Sequence, residues 1–235
     1  MGLPVIIDIP NTRDLLVFEK CFDRLRQIDQ RFSLYKPDSE TSRYRRGEVD
    51  PPSRELAKVI KECKAAGKET DGYFSAWAGG AFDPSGYVKG WAIDEAGKLI
   101  QKAGFGTFCI AAGGDIMARS DGQKIWKIGI QNPLASGKIL DLLSISNGAV
   151  ATSGNYERGL HIINPKTKQP ADELLSVTVI GPDIIKADVL ATAIFAKGQH
   201  YKDMAELTAG YGVLVVDKSS KIYKSPSYRS LESSR

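Results

Sequence analysis

Histidine and cysteine are scarce, two and three residues in a chain of 235. Cys21, Cys63 and Cys109 are odd in number, far apart and in apolar company. That pattern argues against a disulfide framework or a cysteine-rich zinc site and predicts buried thiols in a reducing compartment. A dominant charge is lacking too: 32 basic against 28 acidic side chains leave a net +4. The basic residues are dispersed outside the tail, so no nucleic-acid partner is expected. No apolar run approaches the roughly 20 residues of a membrane-spanning helix. The start, MGLPVIIDIP, has neither the basic region nor the cleavage site of a signal peptide. As given, the chain reads as cytoplasmic, with no membrane span. Missing as well are the phosphate-loop lysine motif and GxGxxG, the common nucleotide signatures.

What is present is ordinary for a globular chain, with 42% hydrophobic and 26% charged residues and ample length for a core. A β-branched run from Leu3 to Ile9 predicts a strand closed by Pro10 and Asn11. Leu15, Phe18, Phe22, Leu25, Ile28 and Phe32 then recur at threes and fours, an amphipathic helix begun by Asn11 or Thr12. The polar stretch RFSLYKPDSETSRYRRG reads as a loop exposing Tyr35 and Tyr44. A second helix runs from Ser53 to near Gly67. The glycine- and aromatic-rich GYFSAWAGGAFDPSGYVKGWAID leads into a third, about Tyr87 to Ala103. Strands are expected in TFCIAA, then at about Ile125 to Gln131, Ile139 to Ser146, His161 to Ile163, Leu175 to Ile180 and Gly212 to Val216. KADVLATAIFAKG is helical, with Gly198 as its stop. Strands and helices do not alternate as a doubly wound fold requires. The expected fold is α+β: one compact domain over residues 1–217, with a mixed or antiparallel sheet and packed helices. Residues 218–235 read as a polar, flexible tail.

Asp188 and Thr192 stand four apart on that last helix, which puts a carboxylate and a hydroxyl on one face. Such hard oxygen donors suit Mg²⁺; the same pair would also serve as a helix cap and a hydroxyl bonded back to a carbonyl. Gly113-Gly114-Asp115 admits a ligand to the backbone or makes an ordinary turn. Thr152, Ser153 and Gly154 form a hydroxyl-rich turn that would donate to phosphate or join two strands. Lys89, at the start of a helix, meets a phosphate or is solvated. His161 opens an apolar run and offers a base near neutral pH, whereas His200 reads as surface. Tyr35 and Trp91 either stack on a flat ring or pack.

Taken in order, MGLP, FSLYKPDSE, DPSGYVKGWAID, AAGGDI, ATSGNY, HIINP and KADVLATA resemble the ApbE-type FAD:protein FMN transferase family, over roughly Met1 to Gly198. The resemblance implies an enzyme that takes FAD as substrate with Mg²⁺. It would split the pyrophosphate, attach FMN to a threonine hydroxyl of an acceptor protein (a redox subunit or flavin-carrier domain) and release AMP. Mn²⁺ suits the same ligands. By that resemblance Asp188, Thr192 and the Gly86 carbonyl hold the metal. His161 activates the acceptor hydroxyl, and Lys89 is a second cation at the phosphates. Tyr35 and Ser39 fall in the segment flanking the isoalloxazine ring. Trp91, Asp94, Gly113, Gly114 and Asp115 fall where the nucleotide is held, and Thr152, Ser153 and Gly154 near the phosphates. The chain departs from the family pattern at Ser75, at Asn164 where aspartate is usual, and at Arg45-Arg46 near a frequent asparagine. An insertion before FDPSG is missing. Two other activities fit the same motifs: FAD binding without turnover, and Mg²⁺-dependent hydrolysis of FAD to FMN and AMP.

Overall fold

The computed structural model describes residues 3–155, 159, 161–204 and 207–230. Met1 and Gly2 of MGLP, Tyr156 of ATSGNY and residues 231–235 lie outside the described residues. An antiparallel sheet of seven strands runs in the order β1-β2-β3-β6-β7-β8-β9. Its members are β1 (Val5–Asp8), β2 (Phe108–Ala112), β3 (Asp115–Arg119), β6 (Gly148–Gly154), β7 (Leu174–Gly181), β8 (Gly212–Asp217) and β9 (Ile222–Lys224). A separate hairpin pairs β4 (Trp126–Gln131) with β5 (Ile139–Ile145).

Alternation along the strands fills both faces of the sheet. Phe108, Ile110, Ala112, Val177, Val179, Val213 and Val215 join the helical core. Their neighbours Val150, Ile180, Leu214 and Val216 point the other way, onto Trp126, Ile128, Ile130, Leu143 and Ile145 of the hairpin. A period of two therefore places an apolar set on each side, giving three layers: helices, sheet, hairpin. The helical layer is α1 (Leu15–Phe32), α3 (Arg54–Glu69), α4 (Ser85–Lys102) and α5 (Ile184–Lys197), with a short α2 (Glu40–Arg45) and α6 (Pro226–Arg229) elsewhere. Helix α5 lies against β6 and β7, and α4 crosses it. Among the described residues no helix is long and apolar enough to cross a membrane.

The α+β class and the antiparallel sheet are as expected. Several local expectations are corrected. Asp14 caps α1, accepting from Leu16 N at 2.9 Å, while Thr12 Oγ1 accepts from Asp14 N. Ser53, the expected start of the second helix, caps α3. Helix α2 interrupts the expected loop, and Tyr44 packs edge-on against Phe82 instead of standing exposed. The turn read in Thr152 to Gly154 is the end of strand β6. His161 to Ile163 forms no strand; a single bridge joins Ile163 to Pro170, and the Asn164 side chain turns the loop by accepting from Lys166 N. Beyond Lys218 the chain adds β9 on β8 and then α6, whose Tyr228 is fully buried. That anchor orders a stretch whose polar composition predicted fraying. Cys21, Cys63 and Cys109 are free thiols, the first two buried and the third half-buried. Burial pushes all three up, Cys63 to about 12.

Candidate active site

Two helices and two strand ends converge at one cleft. Gly90 in the middle of α4 makes the crossing with α5 possible: a Cβ there would lie 2.9 Å from the Ile184 carbonyl and 3.2 Å from the Asp188 Cβ. The close approach lets Gly90 N donate to Asp188 Oδ2 at 3.0 Å. In a helix that amide's usual acceptor is the carbonyl four residues back, here Gly86. With two lone pairs, the Gly86 carbonyl keeps acceptor capacity beyond a single helical bond. Gly86 also lies beside Thr192, whose Oγ1 would sit 3.3 Å from a Cβ built on it. Thr192 Oγ1 in turn is 3.2 Å from Ser153 Oγ on β6. Asp183, not Asp188, caps α5, accepting from Lys186 N at 2.8 Å. Asp188 is thus left to the cleft, one turn below Thr192.

Lys89 Nζ lies 2.8 Å from Asp115 Oδ2 and 3.6 Å from Asp188 Oδ1. Asp115 opens β3 just past the β2–β3 turn, where Gly113 and Gly114 take φ of 54° and 91°, a geometry glycine adopts without strain. Its other oxygen accepts from Thr152 N at 3.1 Å. Asp188 is pushed up to about 7: burial raises it first, the Lys89 charge opposes, and the Asp115 charge adds to the rise. Thr152 Oγ1 pairs with Thr178 Oγ1 on β7 at 2.9 Å, which fixes the strand end behind the hydroxyls.

These groups open onto a cavity of about 660 Å³, whose walls include Tyr35, Gly86, Lys89, Gly113, Gly114, Thr152, Ser153, Gly154, His161, Asp188 and Thr192. That volume is in the range of small-molecule sites. His161 is exposed on its loop, with Nδ1 2.9 Å from the Gly159 carbonyl. If Nδ1 carries the proton it donates there, and Nε2 keeps a lone pair as a base. Tyr35 is 89% exposed. The oxygen donors fit a hard cation: a carboxylate, hydroxyls and a carbonyl, with no cage of three His, Cys, Asp or Glu side chains among the described residues. A cation on such a set keeps open positions for water and phosphate oxygens.

Three expected contacts lie elsewhere. Ser39 is buried as the N-cap of α2, accepting from Ser42 N. Trp91 is in the core, edge-on to Phe32 with centroids 5.5 Å apart and the Arg24 guanidinium over its ring. Asp94 pairs with Lys98 one turn along α4. Asp115 lies beneath the cleft wall, holding Lys89. His200 is at the surface, as read from its polar neighbours. Sequence reasoning missed Gly90, although an isolated glycine inside a helix is itself a sign of close approach. It also missed the wall from Ile128 to Gln131; Arg45, singled out only as a departure from the family pattern, lines the cleft.

Fold and cleft together define a single-domain α+β protein with a ligand-sized cavity rich in oxygen donors at a helix crossing. The chain belongs to the ApbE family, whose model matches residues 1–82 and 75–215. The FAD:protein FMN transferase of Rhodobacter capsulatus is 32% identical over 160 residues, 63% of this chain and 30% of that protein. Its counterpart in Klebsiella pneumoniae (strain 342) is 28% identical over 162 residues, 63% of this chain and 46% of that protein. The chain thus spans less than half the length of these two relatives. The flavin transferase ApbE from Vibrio cholerae superposes with a TM-score of 0.83 at 23% identity, covering 98% of this chain and 96% of that one. The ApbE protein from Thermotoga maritima gives 0.84 at 22%, covering 99% and 96%. These two likenesses establish the fold.

Proposed function

We propose that this chain is a Mg²⁺-dependent FAD:protein FMN transferase, acting on a threonine hydroxyl of an acceptor protein. The observation that carries the reading is the convergence of Asp188, Thr192, Lys89 and His161 on one cleft. Its support from outside the chain is the name its relatives share. Asp188, Thr192 and the Gly86 carbonyl would hold the cation, which when bound neutralises charge on the pyrophosphate. Lys89 faces the same cleft as a second positive group. Ser153 and the strand end at Gly154 bring a hydroxyl and backbone close to where phosphate oxygens would rest, and Tyr35 offers a face to the flavin ring. His161 Nε2 takes the proton as the acceptor oxygen attacks the FMN phosphorus. One phosphoester P–O bond forms, the pyrophosphate P–O bond breaks, and AMP leaves with the bridging oxygen. Most of the acceleration asked of the protein is positioning and charge stabilisation, as in other phosphoryl transfers.

The test is mass spectrometry of the protein with FAD, Mg²⁺ and a threonine-bearing domain from a flavin-carrying redox subunit. An acceptor mass gain equal to FMN less one water, lost in His161→Ala, supports both the activity and the base. FAD cleaved to FMN and AMP at a rate indifferent to any acceptor would replace transfer with hydrolysis. FAD left intact after long incubation would leave a binding protein.

A further inference from the structure

Lys89, Asp115 and Asp188 come from α4, β3 and α5 and meet in the floor of the cleft with side chains 16%, 0% and 2% exposed. Buried carboxylates demand counter-charge, and within this triad two carboxylates face one ammonium. The sharing is unequal. Lys89 Nζ is 2.8 Å from Asp115 but 3.6 Å from Asp188. Both carboxylates are held by backbone amides, Asp115 by Thr152 N and Asp188 by Gly90 N, so neither swings to meet the lysine. Asp115 therefore draws the ammonium off Asp188 and leaves that carboxylate only partly compensated.

We propose that Lys89 is an internal counter-ion that competes with the divalent cation for Asp188, and that Asp115 is the positioning residue that limits the competition. The inference rests on the metal reading above. An ammonium and a divalent cation on one carboxylate repel strongly in a buried setting, so binding of the cation turns Lys89 away from Asp188. Still tethered to Asp115, it then faces the cavity, where a phosphate oxygen is its natural partner. Without the cation, the lysine keeps the floor of the cleft from carrying two uncompensated charges.

The two roles predict opposite effects of neighbouring substitutions. Lys89→Met removes the competitor and raises Mn²⁺ affinity about tenfold, or about 1.4 kcal/mol. The same variant melts lower than the unsubstituted protein without metal and regains most of the loss when Mn²⁺ is added. Asp115→Asn releases Lys89 onto Asp188 and lowers Mn²⁺ affinity by about tenfold. Placed in the Lys89→Met background, Asp115→Asn has a markedly smaller effect, because its influence passes through the lysine. Calorimetric titration with Mn²⁺ and metal-free thermal melts of the four proteins read all of this without any turnover. Binding to the unsubstituted protein with Lys89→Met equal or weaker overturns the counter-ion role and leaves the metal site standing. No Mn²⁺ binding by the unsubstituted protein overturns both. Where Lys89→Met does not fold, the side-chain NMR signal of Lys89 is followed in the unsubstituted protein during Mg²⁺ addition. A shift at saturation supports the exchange, and an unmoved signal overturns it.

Discussion

Asp188 is the residue on which chemistry and burial are most opposed. It is 2% exposed, yet its nearest compensating groups are a shared lysine and one amide. Neutralising it should separate activity from stability. Asp188→Asn is expected to lose a hundredfold or more in metal-dependent transfer, about 2.7 kcal/mol of barrier. Without metal it should melt no lower than the unsubstituted protein, since Lys89 and Asp115 then balance alone. Parallel activity assays and metal-free melts check the pair of outcomes, and a large drop in melting temperature would make Asp188 a structural residue. The four-residue spacing put this position and Thr192 on one helical face but left a helix cap and a back-bonded hydroxyl open; the metal role came from the family resemblance. The same rule, applied to Lys89, would have corrected two others. At about 100° per residue, Trp91 lies roughly 200° round α4 from Lys89 and Asp94 roughly 140°. A helix cannot aim all three into one cleft, and α4 sends Lys89 there and Trp91 into the core.

Elements with a strong period were legible, and those built from small or few residues were not. Helices α1, α3, α4 and α5 show themselves in their apolar spacing, and β7 and β8 in their β-branched runs. Strand β6 is hidden because GAVATSG lacks bulky side chains; the close packing of α5 on it needs them to be small. Strand β3 is five residues and reads as the far side of a turn. The HIINP loop shows the reverse error, an apolar run held by side-chain turns and one bridge rather than a ladder. Polar composition concealed α6, which Ser225 caps and ties to Val213 and which Tyr228 anchors. Tyr228 fills the second core against Leu214 and Val216 and donates its hydroxyl to Asp141 on β5 at 3.1 Å. Tyr228→Ala is expected to cost about 3–5 kcal/mol, as aromatic truncations in cores do. Denaturant unfolding measures it, and a change below 1 kcal/mol would mean that β9 and α6 are dispensable ornaments of the sheet edge.

For the molecule as a whole, the helical layer is tied together by part-buried charge. Glu55 on α3 meets Arg24 and Arg31 of α1, and Arg24 also reaches Glu95 of α4. Burial pushes the Glu55 carboxyl up, but the Arg24 hydrogen bond and the charges of Arg24 and Arg31 outweigh it and hold its pKa below the ordinary value. A depressed carboxyl contributes stability above its unfolded pKa and loses it as pH falls through the folded one. Glu55→Gln should therefore be less stable than the unsubstituted protein at neutral pH, with the gap closing below about pH 4. Melts across pH 3 to 7 test this, and a gap independent of pH would assign the loss to shape rather than charge. The crossing at Gly90 has a consequence of another kind. Its amide donates to Asp188 in the cleft. Deuterium uptake at that single position will therefore slow or quicken with whatever occupies Asp188. The molecule thus contains, without label or dye, a clock for the state of its own site.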